Sequence, residues 1–305
     1  MRLQRVVIGM DFSDTALAAA RWIAWRFAPE AELVLVHAID IPQPPRFLRG
    51  RYPPVDVVLQ TAREGAERRL RELAAVLGPR LVWTEIRRQR ASDAIIEVAN
   101  EYHANLIVVG KHGERADGRA RVGSTAERVL HGGRAPVLLV PGEPELAPRH
   151  ILVPIDDSDV TVTVLQWARQ LASRFDATAT ALHVVSSAIF SSVLSMAAVG
   201  SGGAVHEPER MREEVRHEAD RWMAKLIAAG VRRERVESDV AFGDAAHEIV
   251  SAAQRTEADL IVMGAHGAGR IARALLGSTT AEVLRMAPCP TLVVRETEEA
   301  AERPG

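Results

Sequence analysis

The sequence predicts an α/β fold made of two tandem domains, each built on a parallel sheet. The chain has 305 residues, about twice the length of an average domain. Short apolar runs alternate with amphipathic segments of helical periodicity, which is the pattern of strand–helix–strand units. The first half of the chain is also repeated in the second half, as expected when two copies of one domain follow each other.

The two copies share their motifs in the same order. "VVIGMDFSD" at Val6–Asp14 corresponds to "ILVPIDDSD" at Ile151–Asp159, and "NLIVVGKHG" at Asn105–Gly113 corresponds to "DLIVMGAHG" at Asp259–Gly267. The spacing between these motifs is longer in the second copy, which places a net insertion at residues 186–208. We expect one domain at residues 1–141, a linker at 142–149, a second domain at 150–296 and an acidic tail at 297–305.

The strands of the first copy are predicted from its apolar runs. Because most runs are short and almost wholly apolar, they are typical of strands that are buried on both faces of a parallel sheet. Strand–helix alternation also implies right-handed crossovers, with helices on both faces of the sheet. The predicted strands are Arg5–Gly9, Leu33–Ala38, Leu81–Ile86, Leu106–Val109 and Val137–Val140.

One helix of the first copy has a clear apolar face. In "AREGAERRLRELAAVLG" the apolar residues recur every three or four positions, while arginines and glutamates occupy the opposite face. Gly78 and Pro79 are expected to end this helix. The residues predicted to face the core are Ala62, Ala66, Leu70, Leu73 and Leu77.

A glycine-rich loop follows the fourth predicted strand in each copy. Glycine lets a ligand approach the main chain closely, and the N-terminus of the following helix favours an anion. The hydroxyls after the last glycine could add donors to a phosphate. The residues of this pattern are Gly110, Gly113, Gly123, Ser124 and Thr125 in the first copy, and Gly264, Gly267, Gly277, Ser278 and Thr279 in the second.

A purely structural interpretation of these loops is also open. Ser124 with Glu127, and Thr279 with Glu282, have the spacing of capping boxes. The hydroxyls would then only cap helices, and the glycines would only turn the chain. Duplication copies a structural requirement as faithfully as a functional one.

The pattern G-x2-G-x9-G-[S/T] resembles that of the universal stress protein family. The opening segments "VIGMDFSD" and "LVPIDDSD" and the closing strands "APVLLV" and "CPTLVV" add to the resemblance, which covers nearly the whole chain. The "LxH" of the second strand is present at Leu35–His37, and the second copy departs from it at Ala181–His183. The resemblance implies a five-stranded parallel sheet per domain, in the order 3-2-1-4-5. It also implies ATP binding, with the glycine loop on the phosphates and ribose.

The same resemblance assigns a role to the aspartate after the first strand of each copy. Asp11 and Asp156 would face the ribose or a phosphate-bound Mg²⁺. A carboxylate is a hard oxygen ligand, and Mg²⁺ usually takes one or two carboxylates together with phosphate oxygens. Helix capping within "DFSD" and "DDSD" is the alternative.

The two copies differ at the expected nucleotide site. The family usually has a glycine close to the adenine, which matches Gly243, whereas the first copy has Gln89 there. The first loop carries the acids Glu114 and Asp117, which would repel phosphate unless Arg115, Arg119 and Arg121 offset them. The charges of the second loop, Arg270 and Arg273, are both positive. We therefore expect the second copy to be the better nucleotide site.

Composition and motifs narrow the function further. The formal net charge of −2 does not favour nucleic acid or an anionic membrane, and no apolar run is long enough to span a bilayer. The start of the chain has no signal-peptide pattern, so we expect a cytoplasmic protein. No Ser/His/Asp order, activated cysteine or paired-carboxylate motif is visible, so at most a slow ATPase is expected.

The sequence thus favours a stress-response protein that binds ATP and Mg²⁺ and acts through nucleotide-dependent conformation or association. The alternatives are an interaction module whose loops are only structural, or a slow ATPase. The last strands are apolar edges, so the two copies are expected to pair through them. A homodimer of tandem chains and an unidentified signalling partner are further expectations.

Overall fold

A computed structural model describes residues 3–41, 54–78, 80–111, 122–200, 208–230, 236–267 and 276–295. The chain divides into two compact units, Met1–Ala147 and Pro148–Gly305. The division falls within residues 142–149.

The first unit is an α/β domain with a five-stranded parallel sheet in the order β3-β2-β1-β4-β5. A π-helical turn at Ile23–Phe27 continues its first helix. The elements are β1 (Arg5–Gly9), α1 (Asp14–Trp22), β2 (Glu32–Ala38), α2 (Val55–Val76), β3 (Val82–Arg87), α3 (Ala91–Glu101), β4 (Leu106–Gly110), α4 (Ser124–Gly132) and β5 (Val137–Val140).

The second unit repeats this arrangement, with parallel strands in the order β8-β7-β6-β9-β10. The α/β fold and the 3-2-1-4-5 strand order of each copy are thereby confirmed. The elements are β6 (His150–Pro154), α5 (Val160–Phe175), β7 (Thr178–Ser186), α6 (Ser187–Gly200), α7 (Pro208–Gly230), β8 (Val236–Gly243), α8 (Ala245–Arg255), β9 (Leu260–Gly264), α9 (Ser278–Met286) and β10 (Thr291–Val294).

The central strands of each sheet are buried on both faces, as their apolar composition predicts. Val6, Val7 and Ile8 of β1 are fully buried, and so are Leu152 of β6 and Ile261 of β9. The five strands predicted in the first copy agree with those observed to within one residue at each end.

Helix α2 confirms the predicted apolar face. Ala66, Leu70, Leu73 and Leu77 are buried, and Ala62 is half-buried. The helix ends as expected before Gly78, which adopts a φ of +96° that glycine tolerates best. Its start lies further upstream than the amphipathic segment, at Val55.

Helix α6 follows β7 directly, in the segment where the longer spacing of the second copy places an insertion. Phe190 of α6 packs edge-to-face on Phe242 near the end of β8, with ring centroids 5.5 Å apart. The inserted helix therefore contributes to the carboxyl end of the second sheet. Among the helices described, none is both long and apolar enough to cross a membrane.

Candidate functional site

The strand order of each unit reverses between two central strands, β1 and β4 in the first and β6 and β9 in the second. In open parallel sheets, ligands bind beyond the carboxyl ends of the strands at such a switch point. β6 pairs in parallel with β9, so the loops that follow both strands leave the same edge of the sheet. These loops carry Asp156 and the glycines that begin at Gly264.

Asp156 lies directly against the backbone of Gly267. A Cβ atom placed on Gly267 would stand 2.6 Å from Oδ2 of Asp156, which is closer than any ordinary contact. The other carboxylate oxygen, Oδ1, accepts hydrogen bonds from the hydroxyls of Ser158 and Thr161. Thr161 also donates to the main-chain oxygen of Asp156, at 2.7 Å. The carboxylate is therefore held in place beside a stretch of bare main chain.

Asp11 has a related but more local environment. Its Oδ1 accepts hydrogen bonds from the amide and the hydroxyl of Ser13, at 3.0 and 2.6 Å. Ser13 itself caps α1 by accepting from the amide of Ala16. In the second copy the N-cap residue of α5 is Asp159, and no side-chain hydrogen bond caps that helix. Capping is thus done by Ser13 in the first copy, and neither Asp11 nor Asp156 is an N-cap residue.

Each glycine loop is closed at its base by the same main-chain hydrogen bond. The amide of Gly277 donates to the carbonyl of Ala265 at 2.8 Å, and the amide of Gly123 donates to that of Lys111 at 2.9 Å. A Cβ on Gly277 would stand 3.3 Å from Cα of His266. The closure places the start of α4 and α9 beside the ends of β4 and β9.

Gly264 is required by packing. A Cβ there would stand 2.5 Å from Cγ1 of Val160, at the start of α5. Gly110 holds the matching position at the end of β4. Part of the glycine pattern is therefore structural. Several residues predicted for the site lie outside the described residues, namely Gly113, Glu114, Asp117 and Arg270.

The capping boxes predicted at α4 and α9 are wrong. The N-cap residues are Gly123 and Gly277, and neither helix has a side-chain capping bond. Each helix begins directly after its N-cap glycine, at Ser124 and at Ser278. Thr279 is therefore already inside the helix and cannot cap it. Glu282 instead forms an ion pair with Arg285, at 3.0 Å.

The hydroxyls at these helix starts fall into two groups. Thr280 is buried and donates to the carbonyl of Gly264 at 2.9 Å, so its role is structural. Within the described part of the chain, the other four hydroxyls make no hydrogen bond. They belong to Ser124, Thr125, Ser278 and Thr279.

The start of α9 therefore has the properties of an anion site. The first amides of a helix have no acceptor within the helix, and the helix dipole favours negative charge beside them. In α9 these are the amides of Ser278, Thr279 and Thr280, next to two available hydroxyls. Asp156 would repel a bare anion, but it suits a divalent cation that arrives with phosphate oxygens. The described residues hold no cluster of three or more metal-ligating side chains, so such a cation would need oxygens from its ligand.

The end of β8 shows a contact that sequence analysis missed. A Cβ on Gly243 would stand 2.5 Å from Oε1 of Glu248, so the glutamate side chain lies over the glycine. Glu248 is in the first turn of α8, whose N-cap Asp244 accepts from the amide of His247 at 3.0 Å. The sequence indicates this contact only by the separation of five residues, which places Glu248 in the first turn of the helix that follows Gly243.

The first copy is built differently at the matching places. Gln89 stands in place of Gly243, and its amide donates to Glu97 at 2.6 Å. Lys111 is buried, with 6% of its surface exposed, so it does not extend into solvent as a phosphate-seeking lysine would.

Phe12, after Asp11, adopts a strained φ of +63°. Its ring is 4.8 Å from that of His37, and the guanidinium of Arg69 lies 4.1 Å from its centroid. Phe12, His37 and Arg69 thus pack together at the carboxyl ends of β1 and β2. The second copy has Asp157 in place of Phe12.

His37 and His183 share one contact. Nδ1 of His37 is 2.7 Å from the carbonyl oxygen of Met10, and Nδ1 of His183 is 3.0 Å from that of Ile155. Each histidine thus links its strand to the segment after the first strand of its copy.

Comparisons of sequence and of structure with known proteins point to the same family. The model of the universal stress protein family matches residues 2–141 and 148–295. A universal stress protein of Mycolicibacterium smegmatis is 29% identical over 301 residues, which cover 95% of this chain and 96% of that protein. One of Methanocaldococcus jannaschii is 31% identical over 156 residues, covering 50% of this chain and 84% of that protein.

Among solved structures, a universal stress protein from Archaeoglobus fulgidus shares the fold. It matches with a TM-score of 0.64 at 18% identity, over 98% of each chain. The matched residues of the family model include both glycine loops and both aspartates that follow the first strand of a copy. The chain therefore belongs to the universal stress protein family and carries two of its domains in tandem.

Proposed function

We propose that the chain binds ATP together with Mg²⁺ at the carboxyl edge of the second sheet. The observation that carries the proposal is the contact between Asp156 and Gly267, beside a helix start with available hydroxyls. The amides and hydroxyls at the start of α9 would hold the phosphates. Asp156 would supply one oxygen to the Mg²⁺ that the phosphates bring.

The residues present fit this ligand. An Mg²⁺ site in proteins commonly uses one or two carboxylates, with water and phosphate oxygens completing the set. Asp156 is the carboxylate at the switch point. Its Oδ1 accepts from two hydroxyls, and its Oδ2 lies beside Gly267. The cation would offset the repulsion between this carboxylate and a phosphate.

The second copy is the better candidate for this binding. In the first copy Phe12 packs with His37 and Arg69 directly after Asp11, where the second copy has Asp157 in place of Phe12. Gln89 also places a side chain where the second copy has Gly243. We therefore propose that Asp11, Gly110, Gly123, Ser124 and Thr125 form a weaker site.

ATP would act as a ligand that favours one conformation or one state of association over another. A ligand shifts such an equilibrium only by its difference in affinity for the two states. The output of binding is thus a change in association, with itself as a homodimer or with a signalling partner. This assigns ATP the role of a signal, with slow hydrolysis as the competing possibility.

Isothermal titration of the full chain with ATP, with and without Mg²⁺, tests the proposal. We expect one strong site per chain and tighter binding when Mg²⁺ is present. Absence of heat and of a thermal shift at millimolar ATP would overturn it and leave an interaction module with structural loops. Chromatography of the nucleotide after prolonged incubation separates a ligand from a substrate, because only a substrate is converted to ADP.

A further inference from the structure

Glu248 is placed at the carboxyl edge of the second sheet by the glycine that it covers. Its Oε1 would stand 2.5 Å, and its Cγ 2.8 Å, from a Cβ on Gly243. Any other residue at position 243 would push this side chain aside. Because Gly243 has no side chain, the carboxylate of Glu248 can lie across the end of β8.

The carboxylate of Glu248 is available as an acceptor. The side chain is half-buried, and no hydrogen bond or ion pair joins it to any residue that the structure describes. Asp244 already caps α8, so Glu248 is not needed for that role. The dipole of α8 stabilises a negative charge in its first turn.

The position of Glu248 relative to the anion site follows from the sheet. The strands run in the order β8-β7-β6-β9, so the end of β8 is three strand spacings from the glycine loop after β9, ~14 Å. Asp156, after β6, lies between them. A ligand with phosphates at α9 that also reaches Asp156 therefore extends toward β7 and β8. Gly243 pairs with Ser186 at the end of β7, at the far end of this path.

We propose that Glu248 reads the base of the bound nucleotide by accepting a hydrogen bond from the exocyclic amine of adenine. This inference rests on the ATP site proposed above and adds a specificity residue to it. An ionised carboxylate only accepts hydrogen bonds, and the amine at the six position of adenine is a donor. Guanine presents an acceptor oxygen at that position, which a carboxylate repels.

The first copy provides an internal comparison. Helix α3 has Ala94 at the position that matches Glu248, and Ala94 is fully buried. Gln89, at the position of Gly243, is tied to Glu97. The first copy thus has no acceptor at this place on its helix. It also shows that alanine is compatible with this helix position in this fold.

A double-mutant cycle between protein and ligand tests the inference. The two proteins are the full-length chain and its Glu248→Ala variant. The two ligands are ATP and purine riboside triphosphate, which has hydrogen in place of the amine. Each affinity is measured by isothermal titration with Mg²⁺. We expect the chain with Glu248 to bind ATP about tenfold to a hundredfold more tightly than the purine analogue, as for a hydrogen bond to a charged group.

In Glu248→Ala this preference should disappear, while the affinity for the purine analogue stays unchanged. Glu248→Gln keeps an acceptor oxygen and should retain part of the preference. The inference is overturned if the unaltered chain binds ATP and the analogue equally, or if the preference survives in Glu248→Ala. It is also overturned if GTP binds as tightly as ATP, because the site would then not distinguish the amine of adenine from the oxygen of guanine at the six position.

These outcomes differ from failure of the ATP site itself. If the unaltered chain binds none of the three nucleotides, the proposed function fails and the base-reading role fails with it. If ATP binds but the cycle shows no coupling, only the role of Glu248 fails. Should Glu248→Ala not fold, equal binding of ATP and the purine analogue by the unaltered chain still overturns the inference, and Glu248→Gln tests whether a preference depends on this residue.

Discussion

Asp156 and Gly267 lie so close together that a single methyl group on the glycine would stand 2.6 Å from the carboxylate oxygen. The two residues are far apart in sequence and meet because β6 and β9 are neighbours in the sheet. Their contact joins the aspartate after the first strand of this copy to the glycine loop. Several predictions depend on this geometry and on the helix start beside it.

Asp156→Asn should weaken ATP binding mainly when Mg²⁺ is present. The amide keeps the size of the side chain but removes the charge that would attract the cation. We expect about a tenfold loss of affinity with Mg²⁺, and no loss but a gain in its absence, because Asp156 repels a phosphate that brings no cation. Titration calorimetry with ATP in Mg²⁺ and in EDTA measures both. Asp11→Asn is the matched control and should have a smaller effect; equal losses in the two variants would contradict a dominant second site.

Gly277→Glu should abolish most ATP binding, whereas Gly123→Glu should have little effect. Both glycines are N-cap residues whose amides close a loop, so the two substitutions carry the same backbone cost. Each places a carboxylate at a helix start where an anion would bind, and like charges repel. Thermal unfolding of both variants controls for folding, and comparable binding losses would argue against the asymmetry between the copies.

Ser278→Ala and Thr280→Val should separate a binding hydroxyl from a structural one. The hydroxyl of Ser278 has no partner among the described residues, so its removal should lower ATP affinity and leave stability unchanged. The hydroxyl of Thr280 is buried and bonded to the carbonyl of Gly264, so its loss leaves that acceptor unsatisfied. We expect Thr280→Val to cost about 1–3 kcal/mol of stability. Denaturant unfolding measures the stabilities; a destabilised Ser278→Ala would assign that hydroxyl a structural role as well.

Tyr102→Phe should reduce stability at neutral pH and lose that effect in alkali. The hydroxyl of Tyr102 donates to Oε1 of Glu85 at 2.6 Å, and this bond raises the pKa of the tyrosine above its usual value. A raised pKa means that folding favours the protonated phenol. The stabilisation is therefore complete below the unfolded pKa of about 10 and is lost as pH rises through the folded pKa. Melting temperatures of both proteins from pH 7 to 11 should converge; a constant difference would show that ionisation of Tyr102 is not involved.

Much of the fold was predictable because it depends on local patterns. The strands of the first copy were located by apolar runs, and α2 by the periodicity that buries Leu70 and Leu73. Because the motifs of the first copy recur in the same order in the second, the same fold could be predicted for both. The family resemblance supplied the strand order, which periodicity alone does not contain.

The candidate site was harder to predict from the sequence, because it depends on which residues come together at the edge of the sheet. The spacing of Ser124 and Glu127 is compatible with a capping box, but the loop closure at Gly123 makes that glycine the N-cap, so the helix starts one residue earlier than a box at Ser124 requires. A shift of one residue decides whether a hydroxyl caps a helix or is available to a ligand. Gly243 was expected to lie close to the adenine, but the sequence did not reveal that the side chain of Glu248 lies over this glycine.

The duplication, the strands, the apolar helix face and the glycine loops could be predicted from the sequence, since they follow from composition and spacing along the chain. The contact of Asp156 with Gly267, the hydrogen bond of Thr280 to Gly264 and the position of Glu248 over Gly243 became visible only in the folded chain. Those contacts join residues on different elements, and they depend on distances of a few ångströms that arise when neighbouring strands align their carboxyl ends.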